Sequence, residues 1–208
     1  MIESEWVSMI QAMKDKGALS SFALKLYGAF GPTVFGRSVI PLCYAETVFD
    51  AILAGKNYDT ILDIGTGNGI PAVYMAQYCK HVRTIDIVDN PMRKEVIKLF
   101  GMEDKIKFSK INSECEKEIR IETIAGGFDF CYMDGAHSET TYSDWMMVRQ
   151  CGRVLFHEYY TDQKPVYDLV NSFPLTEVTK FVRHDNIYPK DTVLSQVPCV
   201  DFAYWEKL

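Results

Sequence analysis

Two groups of residues in this chain are of the kinds that hold ligands or move protons. The first is the run ILDIGTGNGIP, residues 61 to 71, where Asp63 precedes Gly65, Gly67 and Gly69, with Thr66 and Asn68 between the glycines. A glycine-rich turn after a strand lets the backbone come close to a ligand, because no β-carbon stands in the way. The amides opening a following helix then face that ligand. Asp86 ends the run VRTID, 21 residues after Gly65. An acid at the tip of a second strand is placed to bind ribose hydroxyls. The second group is Asp134 and His137 in CYMDGAHS, together with His157 and Glu158 in VLFHEYY.

The glycine spacing separates two ligand types. A dinucleotide pyrophosphate takes G-x-G-x-x-G, whereas here the third glycine comes one residue early and position 70 is Ile. Asp63 suits an amine-bearing or cationic ligand better than a pyrophosphate. The turn and its two acids point to an adenosine-type ligand with a non-phosphate head. A tight strand-to-helix turn with no ligand is the plainer alternative.

The elements that must position these residues follow a rhythm. Short apolar, β-rich runs start at Thr60, Val82, Lys105, Phe128 and Arg153, 22 to 25 residues apart. Strands alternating with helices predict βαβ units and a parallel sheet, and their near-continuous apolar character suits strands covered on both faces. DNPMRKEVIKLFG predicts a helix capped by Asn90, with Pro91 in its first turn and Gly101 past its end. Residues 41–56 carry Leu42, Ala45, Val48, Phe49, Ile52 and Leu53 at helical spacing. Residues 1–30 read as one or two further helices, and 164–172 as another. Two last β-like runs cover 177–184 and 199–207. Parallel order would bring Asp134, His137, His157 and Glu158 to the sheet edge that carries the glycine turn, since ligands bind outside the carboxyl ends of such strands.

LDIGTGNG with TIDI resembles the class I S-adenosylmethionine-dependent methyltransferases, over residues 55 to 205. The resemblance implies an α/β fold: a doubly wound, Rossmann-like, seven-stranded sheet with a reversed last strand, here with an N-terminal helical extension. It implies that Gly65, Thr66, Gly67 and Gly69 line the methionine and ribose part of the cofactor, with Asp63 near its amino group. Asp86 would take the ribose hydroxyls, and Asn112 and Ser113 would lie near the adenine. The Asp-Gly-x-His run at Asp134 resembles a subgroup that contains sugar and natural-product O-methyltransferases. Some of these bind magnesium, and by that analogy Asp134 and Glu158 are the ligands, although His157 stands where a second acid can stand. The Asn/Asp-Pro-Pro-aromatic motif of enzymes acting on base amino groups does not occur.

From the residues themselves three readings of the second group stay open. Asp134 and Glu158 could hold a magnesium ion that chelates a substrate's hydroxyls and lowers a pKa. His137 or His157 could be a metal-free general base. All four could be ordinary solvated strand ends. Residues 1–56 are expected to form a helical segment or lid and 57–208 the cofactor-binding domain. The run YGAFGPTVFGRS, 27 to 38, is expected as a mobile loop over the cofactor or a plain turn. Trp145, Met146 and Met147 read as core, and one of Tyr159 and Tyr160 as facing the pocket.

Composition bounds the partners. A chain of 208 residues, 48% hydrophobic and 24% charged, has enough apolar material for a full core. A net charge of -6 without a Lys/Arg run does not suggest a nucleic-acid partner, and the resemblance implies a small-molecule substrate. The N-terminus lacks the basic start and apolar core of a signal peptide, and no apolar run reaches the length of a membrane span. Six scattered cysteines without a CxxC pair suit free thiols in a reducing compartment. A cytoplasmic enzyme is expected, with a homo-oligomer left open.

Overall fold

The computed structural model describes residues 8, 11–17, 19–35, 39–112, 127–135, 138–159, 164–181 and 202–207. They fall into two units, one of residues up to 54 and one of residues from 55 on. The second unit is a single sheet of β1 (Tyr58–Ile64), β2 (Cys79–Asp86), β3 (Ile106–Lys110), β4 (Phe130–Met133), β5 (Arg153–Phe156), β6 (Val178–Phe181) and β7 (Phe202–Glu206). Its order is β3-β2-β1-β4-β5-β7-β6. Strands β1 to β5 pair in parallel, and β7 runs antiparallel to both β5 and β6. This is the doubly wound, seven-stranded sheet with a reversed last strand.

The strands form where apolar residues run without a break, because the central ones are covered on both faces. All four residues of β4 and three of the four in β5 are buried. On one face Trp145 packs edge-on against Trp205, with ring centroids 4.7 Å apart, and lies against Phe156 and Phe173. Trp145 and Met147 are core, but Met146 is 54% exposed, since it points away from the sheet on its helix. An Arg153–Glu206 ion pair of 2.8 Å ties β5 to β7. Cys79, Cys131 and Cys151 are free thiols. Burial pushes the first up to about 11 and the last up to about 12, and it raises Cys131 well above its ordinary value.

The first unit contains α1 (Ser21–Phe35) and α2 (Val39–Leu53). Ser20 caps α1 by accepting from Ala23 N at 3.0 Å and donates to buried Glu46 on α2 at 2.7 Å. Phe22, Ala23 and Leu26 of α1 and Val48, Phe49, Ile52 and Leu53 of α2 are buried. The expected loop or turn at 27–38 is instead helical as far as Phe35, broken at Gly31 with φ 69. Glycine absorbs the left-handed step, and Pro32 then opens a new helical turn, a position proline favours. Residues 36–38 lie outside the described residues.

Among the described residues the sheet is accompanied by α3 (Ile70–Met75), α4 (Pro91–Leu99), α5 (Thr140–Val148) and α6 (Lys164–Asn171). Asn90 caps α4 by accepting from Met92 N at 3.0 Å. Among the described residues no helix is long and apolar enough to cross a membrane.

Candidate functional site

Strand register builds the site. Ile64 pairs with Ile85 on one side and Met133 on the other, and Met133 pairs with Phe156. The residues that follow them, Gly65, Asp86, Asp134 and His157, therefore leave the sheet in one row. The ladder runs one step further, with Gly65 N donating to Ile85 O, Asp134 N to Ile64 O and His157 N to Met133 O. Beside this row opens a cleft of about 330 Å³, lined by Ile64, Gly65, Gly67, Ile85, Asp86, Ile87, Ile111, Asn112, Asp134 and Gly135.

Each glycine of the turn has its own reason. Gly65 has φ 87, and a β-carbon there would overlap the carbonyl oxygen of Asp134 and lie 2.8 Å from Gly135 N. Gly69 has φ 81, and its missing β-carbon makes room for the side chain of Arg93 on α4, whose Cγ would be 2.7 Å away. Gly67 has φ 52, and among the described residues nothing lies within 4 Å of where its β-carbon would be. Its amide donates to Asp86 Oδ2 at 2.8 Å, and Val88 N donates to Asp86 Oδ1 at 2.9 Å. Asp86 thus pins the glycine turn to the end of β2 while lining the cleft.

Asp63 does not line the cleft. It is fully buried beneath the turn. Its Oδ2 lies 2.8 Å from the Thr84 hydroxyl, which also bonds the hydroxyl of Thr66, and Thr66 in turn donates to Ile85 O at 3.0 Å. Among the described residues Asp63 Oδ1 has no hydrogen-bond partner. Burial first of all, with the nearby Asp134 and Asp86 charges adding to it, pushes the carboxyl up to about 7. The expected contact between Asp63 and a cofactor amine is replaced by contacts beneath the loop.

At the other end of the row Asp134 Oδ1 meets His157 Nδ1 at 2.5 Å, and Tyr132 donates to Asp134 Oδ2 at 3.3 Å. Burial disfavours the charged His157 ring, but the Asp134 carboxylate outweighs it, with Glu158 helping, and the pKa rises above the ordinary value. Phe202 of β7 lies against the imidazole, ring centroids 5.1 Å apart. Glu158 follows at φ 55, a left-handed conformation rare for a side chain of its kind. Tyr159 is buried, stacks on Tyr167 and donates to Asn171 at 3.1 Å. Ser113, His137 and Tyr160 lie outside the described residues.

Among the described residues no magnesium-binding cluster is seen. No three His, Cys, Asp or Glu side chains among them converge as ligands. Both Asp134 oxygens are already engaged, one by an imidazole whose positive form would oppose a second cation at the same carboxylate.

Three contributors escaped the sequence reading. Thr84 is a hydroxyl in an otherwise apolar buried strand, and such a group needs a partner. Arg93 sits at helical spacing with Val96 and Ile97 on the buried face of α4, which marks it as a buried cation. It is 1% exposed, pairs with Asp89 at 2.5 Å and stacks over Phe108, 3.1 Å from its centroid. Tyr132 read only as part of a strand.

No family model matches the chain, and no curated protein matches it in sequence. Solved structures do match. The O-methyltransferase from Bacillus cereus in complex with SAH is 15% identical with a TM-score of 0.61, over 99% of this chain and 100% of that one. An rRNA methylase from Streptococcus thermophilus is 14% identical with a TM-score of 0.60, over 81% and 96%. A putative methyltransferase from Streptococcus mutans in complex with SAH is 13% identical with a TM-score of 0.58, over 81% and 98%. The chain has the Rossmann-like fold of these methyltransferases.

Proposed function

We propose that the chain is an S-adenosylmethionine-dependent methyltransferase that methylates a hydroxyl of a small molecule, with the Asp134–His157 pair as its base. The observation that carries the cofactor is the charge of the cleft. Asp86 and Asp134 line it, Asp63 lies beneath it, and none of its described lining residues is Lys or Arg. That favours a cationic ligand over a pyrophosphate. The fold, shared with methyltransferases solved in complex with SAH, supports the same choice.

When bound, the cofactor supplies a methyl group already activated on a positively charged sulfur. The chain's own residues then have three tasks. The open face of Gly67 and the carboxylate of Asp86 receive the ribose side, while Ile87, Ile111 and Asn112 bound the remainder. Asp134 orients the His157 ring through Nδ1, and the imidazole serves as the base that takes the proton of an acceptor hydroxyl. Tyr132, buried and held protonated, fixes the other Asp134 oxygen. No metal is needed in this scheme.

The test is a calorimetric titration with S-adenosylmethionine and SAH, followed by methyl-transfer assays on a panel of sugars and phenols. Binding with turnover is expected, unaffected by a magnesium chelator. His157→Gln should lower turnover by about 10²-fold or more. Because the His157 pKa is raised, its base form appears only above the ordinary histidine range, so kcat/KM should rise with pH through a value above about 6.5. Chelator-sensitive turnover would restore Asp134 and Glu158 as magnesium ligands. Binding without turnover of any hydroxyl would move the proposal to an RNA or protein acceptor, or to a binding role without catalysis.

A further inference from the structure

The buried chain beneath the glycine turn can be read by counting hydrogens. Asp63 Oδ2 meets Thr84, Thr84 meets Thr66 and Thr66 meets Ile85 O, and the Thr66 hydroxyl is also within hydrogen-bonding reach of Asp63. A hydroxyl has one hydrogen to give. If Asp63 is ionised, the two threonine hydrogens must serve all the hydroxyl contacts, although Ile85 O also accepts from the Gly65 and Thr66 amides. If Asp63 carries a proton, it donates to Thr84, Thr84 to Thr66 and Thr66 to Ile85 O, and no hydroxyl hydrogen has to serve two acceptors. Asp63 Oδ1, which has no partner among the described residues, points the same way, since a bare buried carboxylate oxygen costs far more than a carbonyl. The His157 imidazole is paired with Asp134 rather than with Asp63. Asp86 at the end of β2 and Asp134 at the end of β4 act on Asp63 as like charges, and Cys131 and Tyr132 on β4 are held neutral by burial.

We propose that Asp63 is a proton-coupled positioning residue: neutral in the unliganded protein, it releases its proton to solvent when a cationic ligand fills the cleft. The inference rests on the cofactor reading above, in which an ammonium and a sulfonium enter a site bordered by Asp86 and Asp134. Positive charge there favours the ionised carboxylate two residues before Gly65. Thr84 then turns its hydrogen toward Asp63, and Thr66 is left to divide one hydrogen between Thr84 and Ile85 O. Since Thr66 belongs to the glycine turn, the protonation state of a residue outside the cleft is transmitted to the loop that forms it.

The experiment is calorimetry of S-adenosylmethionine binding at about pH 6 in two buffers of different ionisation enthalpy, on wild type and Asp63→Asn. The asparagine keeps the shape and the donor of the neutral acid. Wild type is expected to release a proton on binding and to bind about tenfold tighter at about pH 8 than at about pH 6. Asp63→Asn should bind without that release and without that pH step. Binding with no proton release, or equal release in the variant, overturns the inference and leaves the cofactor reading intact. No binding in wild type overturns the cofactor reading and this inference with it. Should the variant fail to fold, infrared difference spectra of wild type decide. A carboxylic acid C=O band lost on adding S-adenosylmethionine at about pH 6 supports the coupling, and its persistence overturns it.

Discussion

Gly65 and Gly67 look alike in the sequence and do different work. Gly65 is required by the protein itself, since its β-carbon position is already filled by the backbone at the end of β4. Gly65→Ala should therefore destabilise the fold by more than about 3 kcal/mol, as overpacking against rigid backbone does. Gly67 meets nothing among the described residues, so Gly67→Ala should cost only the left-handed backbone term of about 1 kcal/mol yet weaken cofactor binding, because its bare face is the one turned outward. Thermal melts of both variants, with and without SAH, separate the two. Equal melting losses with unchanged SAH affinity in Gly67→Ala would show that the open face serves no ligand.

At the scale of elements, α4 is the best example of what was legible and what was not. Its cap, its proline and its closing glycine were readable because each acts locally, through one backbone position. Asn90→Ala should cost about 1 kcal/mol in urea unfolding. Arg93 on the same helix carries more. It fills the space left by Gly69, covers Phe108 of β3 and holds the loop after β2 through Asp89 and Val88 O. Arg93→Ala should cost about 2 kcal/mol or more, and a loss no larger than that of Asn90→Ala would refute this role. Those partners are 4 to 24 residues away, so helical spacing can mark the arginine as facing the sheet but cannot say what it meets. The same holds for the second group of residues. Strand order brought Asp134 and His157 to one edge, but only the register showed them in contact. The turn inferred at 27–38 failed because its glycines and proline are read equally well as a break within a helix.

For the whole molecule, the charges combine in one direction. Asp63 has a folded pKa of about 7, above its unfolded value of about 4. Its ionisation therefore opposes folding, and its cost grows from about pH 4 to about pH 7. His157, with a raised pKa, contributes stability that is complete below about pH 6.5 and is lost as pH rises through its folded value. The net charge of -6 adds self-repulsion as the histidines discharge. Urea midpoints should fall from about pH 5 to about pH 8, by up to about 1.4 kcal/mol per pH unit for each titrating group. In Asp63→Asn the slope should be visibly shallower, and an unchanged slope would mean that Asp63 is ionised throughout.

The order of the sheet also has a history. β7 lies between β5 and β6 but follows both in the chain. A ribosome therefore delivers it after the two strands it joins. The five parallel strands are all made before residues 202–206 appear, yet the apolar edge of β5 has no neighbour until they do, and β6 has no strand to pair with. A nascent chain stalled short of that point presents an open edge, the kind of surface that aggregates or recruits chaperones. The last strand thus acts as a signal of completion, burying the edge only once the whole sheet has been translated.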